Sequence, residues 1–372
     1  MRDDRFHSRL EQLLSDADVR VDGDRAWDMQ VCDDRLPARV LLGGSLALGE
    51  AYMDGWWDAG SLDGLLFRLL DAGIDRKVHG FADLRIAVLA RLFNLQRGQR
   101  SYAVGERHYD IGNDLYAAML GRRLVYSCGY WRDSGDLDAA QEAKLDLCCR
   151  KLGLRPGMRL LDIGCGWGEM LKFAAERYGA SGVGITISRE QAAFASLLCD
   201  GLPVEIRVQD YRELGERFDR IVSIGMFEHV GVKNYETYFD VARRCLADDG
   251  LFLLHSIGGN TSRTHTDPWI AKYIFPNSML PSAAQLTRAL EGRFVIEDWH
   301  NFGADYDRTL QVWRDNVEAA WPLLSERYDE RFRRMWRYYL AGSMASFRAR
   351  LIQLWQLVLS PSGVLGGYVA PR

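Results

Sequence analysis

Leu160-Leu161-Asp162-Ile163-Gly164-Cys165-Gly166-Trp167-Gly168-Glu169 joins an apolar run, of the kind that forms a buried parallel strand, to three glycines at alternate positions. A helix-like stretch, 170–178, follows. Glycines at such a turn let the backbone approach a ligand closely and bend sharply into the helix. The dinucleotide-binding version of this loop wants a third glycine where Glu169 stands, and an acidic residue about twenty positions further on. Here the next strand, 182–185, runs into Thr186-Ile187-Ser188, which leaves a nicotinamide ribose without its usual carboxylate. The Gly-x-Gly-x-Gly spacing suits S-adenosylmethionine better.

A ligand at that turn needs a sheet to hold it. From about residue 155 the pattern alternates, with strands expected at 159–163, 182–187, 204–208, 219–224 and 250–255 and helices at 170–178, 189–199 and 234–246. Such alternation predicts a parallel sheet with helices on both faces and ligand at the carboxyl ends of its strands. Residues 162–168, 186–191, 209–211, 224–229 and 255–258 converge on that edge. Upstream, 6–17 has helical periodicity, and 35–43 and 45–53 read as further short helices. Trp56, Trp57, Leu62, Leu65, Leu66, Phe67, Leu69 and Leu70 supply a dense apolar cluster. The expected organisation is a small α/β amino-terminal domain over 1–85, a helical linker over 86–105 and a catalytic domain over 106–372. The linker reads as a helix at 85–98 followed by a polar joint at 99–105.

Composition narrows the function classes. With 372 residues and 48% hydrophobic content, the chain is long enough for two domains. No apolar stretch reaches the roughly eighteen residues that a spanning helix needs. Met1-Arg2-Asp3-Asp4-Arg5 does not open a signal peptide, so a cytoplasmic protein is expected. Cysteines at 32, 128, 148, 149, 165, 199 and 245 form no Cys-x-x-Cys pair, which points to neither a disulfide framework nor a zinc site. A formal charge of −4 argues against general binding of nucleic acid.

Further segments carry chemistry in a fixed order: GSLALGEAYMDGWW at 44–57, HYDIGND at 108–114, YSCGYW at 126–131, the glycine loop, QDYR at 209–212, GMFEHVG at 225–231 and DWHNFGADY at 298–306. On these segments the chain resembles the cyclopropane-fatty-acyl-phospholipid synthases of the mycolic acid cyclopropane synthase superfamily, from about 40 to 360. The resemblance implies a Rossmann-like class I S-adenosylmethionine methyltransferase fold, an α/β domain with a mixed seven-stranded sheet and helices on both faces. It also implies methylene transfer from S-adenosylmethionine to a cis double bond in an acyl chain of a membrane phospholipid. The methyl goes to the alkene, loses a proton and the ring closes. A sulfonium donor and a cationic acyl chain call for carboxylate and aromatic faces rather than an oxyanion hole. The proton requires a base held dry and close to the transferred methyl.

In that family the base is a bound bicarbonate, and the resemblance assigns its binding here to Cys128, Glu228, His255, the backbone of Ile257 and Tyr306. A thiol, an imidazole and a phenol can all donate to a small oxyanion. Glu228 is the odd member, since adjacent anions repel. It could orient His255, retain a proton to donate, or favour the cationic intermediate. For the donor, Tyr126 and Ser127 resemble family contacts to the methionine portion, beside Asp162, Gly164 and Gly166 of the loop. Thr186, Ile187, Ser188 and Gln191 stand where the ribose and adenine edges pass. Gln209, Asp210 and Tyr211 lie next in line, the acid to accept from the adenine amino group and the ring to pack beside it.

Each assignment has a packing alternative. Cys128 alone reads as a small buried apolar residue, His255 as a core histidine and Tyr306 as loop packing; His229 either shares the role of its neighbour Glu228 or leaves it wholly to that neighbour, and Tyr109, Tyr116, Tyr130 and Trp131 are equally core aromatics or cavity lining. The amino-terminal apolar cluster is a core, or a core that also helps hold an acyl chain. Arginines at 327, 331, 333, 334, 337, 348 and 350 either meet anionic headgroups or form a solvated, ion-paired helix face. Ser343 stands where many relatives carry a cysteine, which removes a covalent cysteine step there. The resemblance further implies a homodimer peripherally associated with the inner membrane. The competing readings are a lipid C-methyltransferase that leaves the ring open and a non-catalytic lipid-binding protein.

Overall fold

The computed structural model describes residues 4–78 and 112–372. In chain order these form α1 (Asp4–Asp16), β1 (Gln30–Val31), α2 (Leu36–Met53), β2 (Trp57–Asp58), α3 (Leu62–Asp71), α4 (Asn113–Leu120) and α5 (Leu137–Lys151). Then come β3 (Arg159–Ile163), α6 (Glu169–Tyr178), β4 (Ser181–Thr186), α7 (Arg189–Leu198), β5 (Val204–Val208), β6 (Phe218–Ile224), α8 (Tyr235–Cys245) and β7 (Leu246–Gly259). The chain closes with α9 (Pro268–Tyr273), α10 (Ala283–Leu290), β8 (Val295–Asn301), α11 (Ala304–Leu324), α12 (Glu330–Arg348) and β9 (Ile352–Ser360). The expected linker at 86–105 and the residues His108 to Ile111, Tyr109 among them, lie outside the described residues.

The alternating elements fall where the pattern put them, and their sheet has the order β5-β4-β3-β6-β7-β9-β8. β3 pairs in parallel with both β4 and β6, and β6 with β7, while β8 and β9 are antiparallel. Successive residues of a strand point to opposite faces, and both faces are covered. Leu161, Ile163, Ile221, Phe252 and Leu254 join one core, with Tyr238, Phe239 and Leu286. Leu160, Val222, Leu251 and Leu253 join another, with Cys148, Leu171 and Phe173. Strand order reverses at β3, the place where an open sheet leaves a crevice at its carboxyl edge.

The expected boundaries follow the chain, whereas the compact units do not. The sheet unit takes the described residues of 112–263, 277–305 and 353–372; a second, mostly helical unit takes 4–78, 264–276 and 306–352. The reason is apolar complementarity. Leu10, Leu13, Leu14 and Ala17 make one face of α1, and their core also contains Trp57, Leu65, Leu66, Ala341 and Ala345, so α12 completes what the amino-terminal segment cannot bury alone. Strand content in this unit is limited to the β1–β2 pair. The two short helices expected at 35–43 and 45–53 appear as α2, broken at Gly44 with φ 64° and ψ −148°.

The arginines around α12 are ion-paired within this unit. Arg331 meets Asp54 at 3.0 Å, Arg333 and Arg337 meet Glu318 at 2.6 and 3.2 Å, and Arg348 meets Asp63 and Asp307 at 2.9 and 3.0 Å. Arg334 is the most buried of the five, with its side chain 13% exposed. It donates to the carbonyls of Tyr52 and Trp57 at 2.5 and 2.8 Å and to Asp58 at 2.9 Å, while its guanidinium lies over the Tyr52 ring. Five of the seven arginines therefore realise the ion-paired reading. Replacing Arg334 with Met strands three acceptors, and urea denaturation is expected to show a loss of about 2–3 kcal/mol. An unchanged midpoint would mean that α12 is held by apolar packing alone.

Candidate active site

The glycine loop leaves β3 with Gly164, Gly166 and Gly168 at φ 84°, 54° and 90°, conformations that L side chains rarely adopt. The amides of Gly164 and Cys165 both donate to the carbonyl of Ile185, at 2.9 and 3.0 Å, which fixes the turn on the end of β4. A Cβ built on Gly164 would strike Met226, whereas one on Gly166 would meet nothing within 4 Å. Gly166 thus borders open space at the strand edge, as a loop that admits a ligand requires. Glu169, where a dinucleotide site has glycine, opens α6 and is ion-paired with Arg123. Trp167 packs against Tyr116 at 5.4 Å, and Tyr116 against Tyr126 at 5.2 Å, so α4 and the YSCGYW segment bring aromatic faces to the loop. Such faces attract a sulfonium.

Other donor candidates divide. Thr186, Ser188 and Gln191 hold one another: Thr186 Oγ1 donates to Gln191 Oε1 at 3.1 Å and accepts from the Ser188 amide at 3.2 Å, while Ser188 caps α7 through the Gln191 amide. Ile187 is half-buried between them. Gln209 ties β5 to the end of β4 through the Thr186 carbonyl at 3.0 Å. Asp210 accepts from the Arg212 amide and pairs with its guanidinium at 3.1 Å. The Tyr211 ring is buried in the core, edge-on to Tyr238 at 5.2 Å.

At the next strand ends the structure gathers the remaining chemistry of the sheet unit. Glu228, in a short 3-10 turn after β6, accepts from the Ile257 amide through Oε1 at 2.7 Å, and its Oε2 has no partner among the described residues. Burial pushes its carboxyl up to about 7. The Ile257 N–H is therefore committed to Glu228. His255 lies within β7, 1% exposed, and burial holds it neutral, well below the usual imidazole range. Its Nδ1 is 3.2 Å from Gln356 Nε2. No hydrogen bond joins Glu228 to His255 among the described residues; the contact that His255 makes through Nδ1 is to Gln356. His229 is half-buried, and desolvation lowers its pKa to about 4.

Cys128 is buried, with its thiol 3.1 Å from the Gly129 carbonyl. Its segment meets the DWHNFGADY motif directly: the Trp131 amide donates to Asp305 at 2.8 Å, and the Tyr130 ring packs on Phe302, which also packs on His255. Tyr306 belongs to the helical unit, stacked on Phe347 at 4.6 Å, and Ser343 lies half-buried on α12 of the same unit.

Gln356, Lys144 and Gln141 were not singled out from the sequence, whereas Asp162 was. Lys144, fully buried on α5, donates to Ser127 Oγ at 2.9 Å; burial lowers its pKa to about 8, against the pull of Cys148, Cys128 and Asp162. Asp162 is pushed up to about 7 by burial, which Lys144 partly offsets. Gln141 holds the Ser127 carbonyl at 2.7 Å. The signal existed: Gln141, Lys144 and Cys148 share one helical face, and Gln356 interrupts the apolar run 354–359.

Sheet order, glycine cradle and buried carboxylate at the strand edge define an S-adenosylmethionine-dependent methyltransferase fold. The family model for mycolic acid cyclopropane synthetase matches residues 96–357, and the chain belongs to that family. It is 52% identical over 372 residues to the cyclopropane-fatty-acyl-phospholipid synthase of Escherichia coli, covering 100% of this chain and 97% of that one. It is 33% identical to the tuberculostearic acid methyltransferase UfaA1 of Mycobacterium tuberculosis, over 89% of this chain and 82% of that one. A crystal structure of the mycolic acid cyclopropane synthase CmaA1 with SAH and CTAB superposes with a TM-score of 0.64 at 33% identity, covering 69% of this chain and 97% of that one.

Two outcomes test this geometry. Gly166→Val forces a side chain and a strained φ into the open edge of the loop; S-adenosylmethionine binding by calorimetry should be lost while the thermal transition persists. Glu228 titrates near 7 folded against about 4.5 unfolded, so its stabilising contribution is complete below pH 4.5 and is lost as pH rises through 7. Glu228→Gln is therefore expected to match wild type near pH 4.5 and to exceed it by about 3 kcal/mol above pH 8, with turnover reduced far more than donor affinity. Equal stability at both pH values would remove the buried carboxyl from the account.

Proposed function

We propose that this protein is an S-adenosylmethionine-dependent cyclopropane synthase that converts cis double bonds in the acyl chains of phospholipids into three-membered rings. The observation that carries this reading is the open glycine cradle at Gly166 beside a dry carboxyl and imidazole on the neighbouring strands, in a member of this family. When bound, the donor supplies an electrophilic methyl and bicarbonate supplies the base. Tyr116, Tyr126 and Trp167 offer the sulfonium aromatic faces, and Lys144 keeps Ser127 in place beside Cys128. Cys128 and His255 donate to the anion, while Glu228 keeps a proton for part of the time near neutral pH. When ionised it favours the positive charge that methyl transfer leaves on the acyl chain, and when protonated it sits beside an anion without repelling it.

We assign the enzyme to the cytoplasmic face of the inner membrane, where it meets unsaturated phospholipids as a peripheral homodimer. No helix among the described residues is long and apolar enough to cross a membrane, which suits peripheral contact, and two copies on one surface strengthen binding by avidity. A ring-open methylation is the second reading, favoured by the likeness to a relative named for methyl transfer.

Mass spectrometry of lipids from cells expressing the chain separates the two. Gain of one CH2 with loss of alkene reactivity identifies the ring; the same gain with the alkene retained identifies methylation. The bicarbonate role has its own test. Cys128→Ser loosens the anion by shortening one donor, and added bicarbonate at constant pH should restore part of the lost activity, whereas chloride should not. Equal activity in carbonate-depleted and replete buffer, for wild type and variant alike, would return the proton to Glu228 or water.

A further inference from the structure

A neutral histidine serves an anion only through the ring nitrogen that carries its proton, and the partner of the other nitrogen decides which one that is. His255 is neutral, because burial and the nearby Lys144 and Lys151 all oppose the imidazolium. Its Nδ1 lies 3.2 Å from the side-chain nitrogen of Gln356, and the same nitrogen lies 3.3 Å from Cys148 Sγ. Gln356 and Cys148 are fully buried, so the three groups have to satisfy one another without bulk water. An amide NH2 has two protons to give and accepts none, which makes Nδ1 and the sulfur the acceptors.

The reverse amide orientation is worse. Gln356 Oε1 has no hydrogen-bond partner among the described residues. Rotating the amide puts the NH2 group in that place and strands two buried donors instead of one acceptor. With Nδ1 accepting, the proton resides on Nε2, which itself has no partner among the described residues. β9 lies beside β7 in the sheet, so backbone pairing between strands fixes the position from which Gln356 acts.

We propose that Gln356 is a positioning residue that locks His255 as the Nε2–H tautomer, so that His255 serves the reaction as a hydrogen-bond donor to its anion and not as a base. The donor role rests on the anion-site reading above, whereas the tautomer does not.

Nitrogen-15 NMR of the full chain labelled at histidine reads the tautomer with no donor, lipid or bicarbonate present. The His255 signals are identified by their loss in His255→Gln. Wild type is expected to show a protonated-type Nε2 and a bare-type Nδ1 at pH 7 and 8; the opposite pattern, or an imidazolium, overturns the proposal without any Gln356 variant. Gln356→Glu presents a carboxylate that accepts from Nδ1 and should move the proton there. Gln356→Met, close in volume, removes the bond and should leave a mixture of tautomers. Both should lower turnover by about tenfold to a hundredfold, the range for residues that orient a functional histidine, and raise the bicarbonate concentration needed for half-maximal rate at constant pH. Wild-type turnover with an altered tautomer in either variant overturns the donor role. An altered tautomer with lowered turnover, but unchanged bicarbonate dependence, overturns the anion-site reading and leaves the tautomer lock standing.

Discussion

Exclusion of water from the carboxyl ends of β6 and β7 is the condition on which the rest of this site depends. A base working beside a sulfonium has to be dry, and dryness penalises every charge brought there. The sheet contributes to that condition by being covered on both faces, and Glu228 and His255 at its strand ends are 7% and 1% exposed. Each polar group at the edge then needs a dedicated partner. The Ile257 amide holds Glu228, Gln356 holds His255, and Ser127 holds Lys144. Glu228 Oε2 and His255 Nε2, two of the buried polar atoms without a partner among the described residues, are the ones to which we assign the chemistry.

The helical unit answers a different demand with different forces. Its core is aliphatic and aromatic, and its arginines are consumed by carboxylates on neighbouring helices. Exposed pairs of this kind contribute at most about 1 kcal/mol each, so their value lies in specifying how α12 seats on α2 and α3. Arg334 differs because its partners include two backbone carbonyls. Five of the seven arginines of this basic run are, in the fold, paired with carboxylates of the same unit.

Much of the sheet unit was legible because buried parallel strands and amphipathic helices have distinct periods, and those of β3 to β7 match their sequences closely. Domain limits were not legible: a helix such as α12, remote in sequence, finishes the amino-terminal core, and its apolar face carries no mark of which partner it joins. At the site, Glu228 and His255 were readable from their motifs, since a carboxylate after an apolar strand has few structural uses. Gln356, Lys144 and Gln141 were overlooked because each resembles an isolated polar residue until a neighbouring element supplies its partner. The place of Tyr211 after β5 suggested a ligand, and the packing of its ring beside Tyr238 is defined only in the folded core.

Burial acts on an acid and a base in opposite senses, and here it brings both toward neutrality. Glu228 is raised to about 7 and His255 is pushed well below its usual range, so near neutral pH the pair contributes little fixed charge. Lys144 and Asp162, lowered to about 8 and raised to about 7, offset each other in the same interior. On the reading proposed above, a pocket that admits a cationic donor and an anionic base together gains from this arrangement. Strong fixed charge of either sign would bind one guest too tightly and repel the other. Near-neutral dipoles leave their mutual attraction as the main electrostatic term, strengthened by the low dielectric that the sheet provides. That attraction is available only while both guests are present, so on that reading the site is best poised once donor and anion occupy it together.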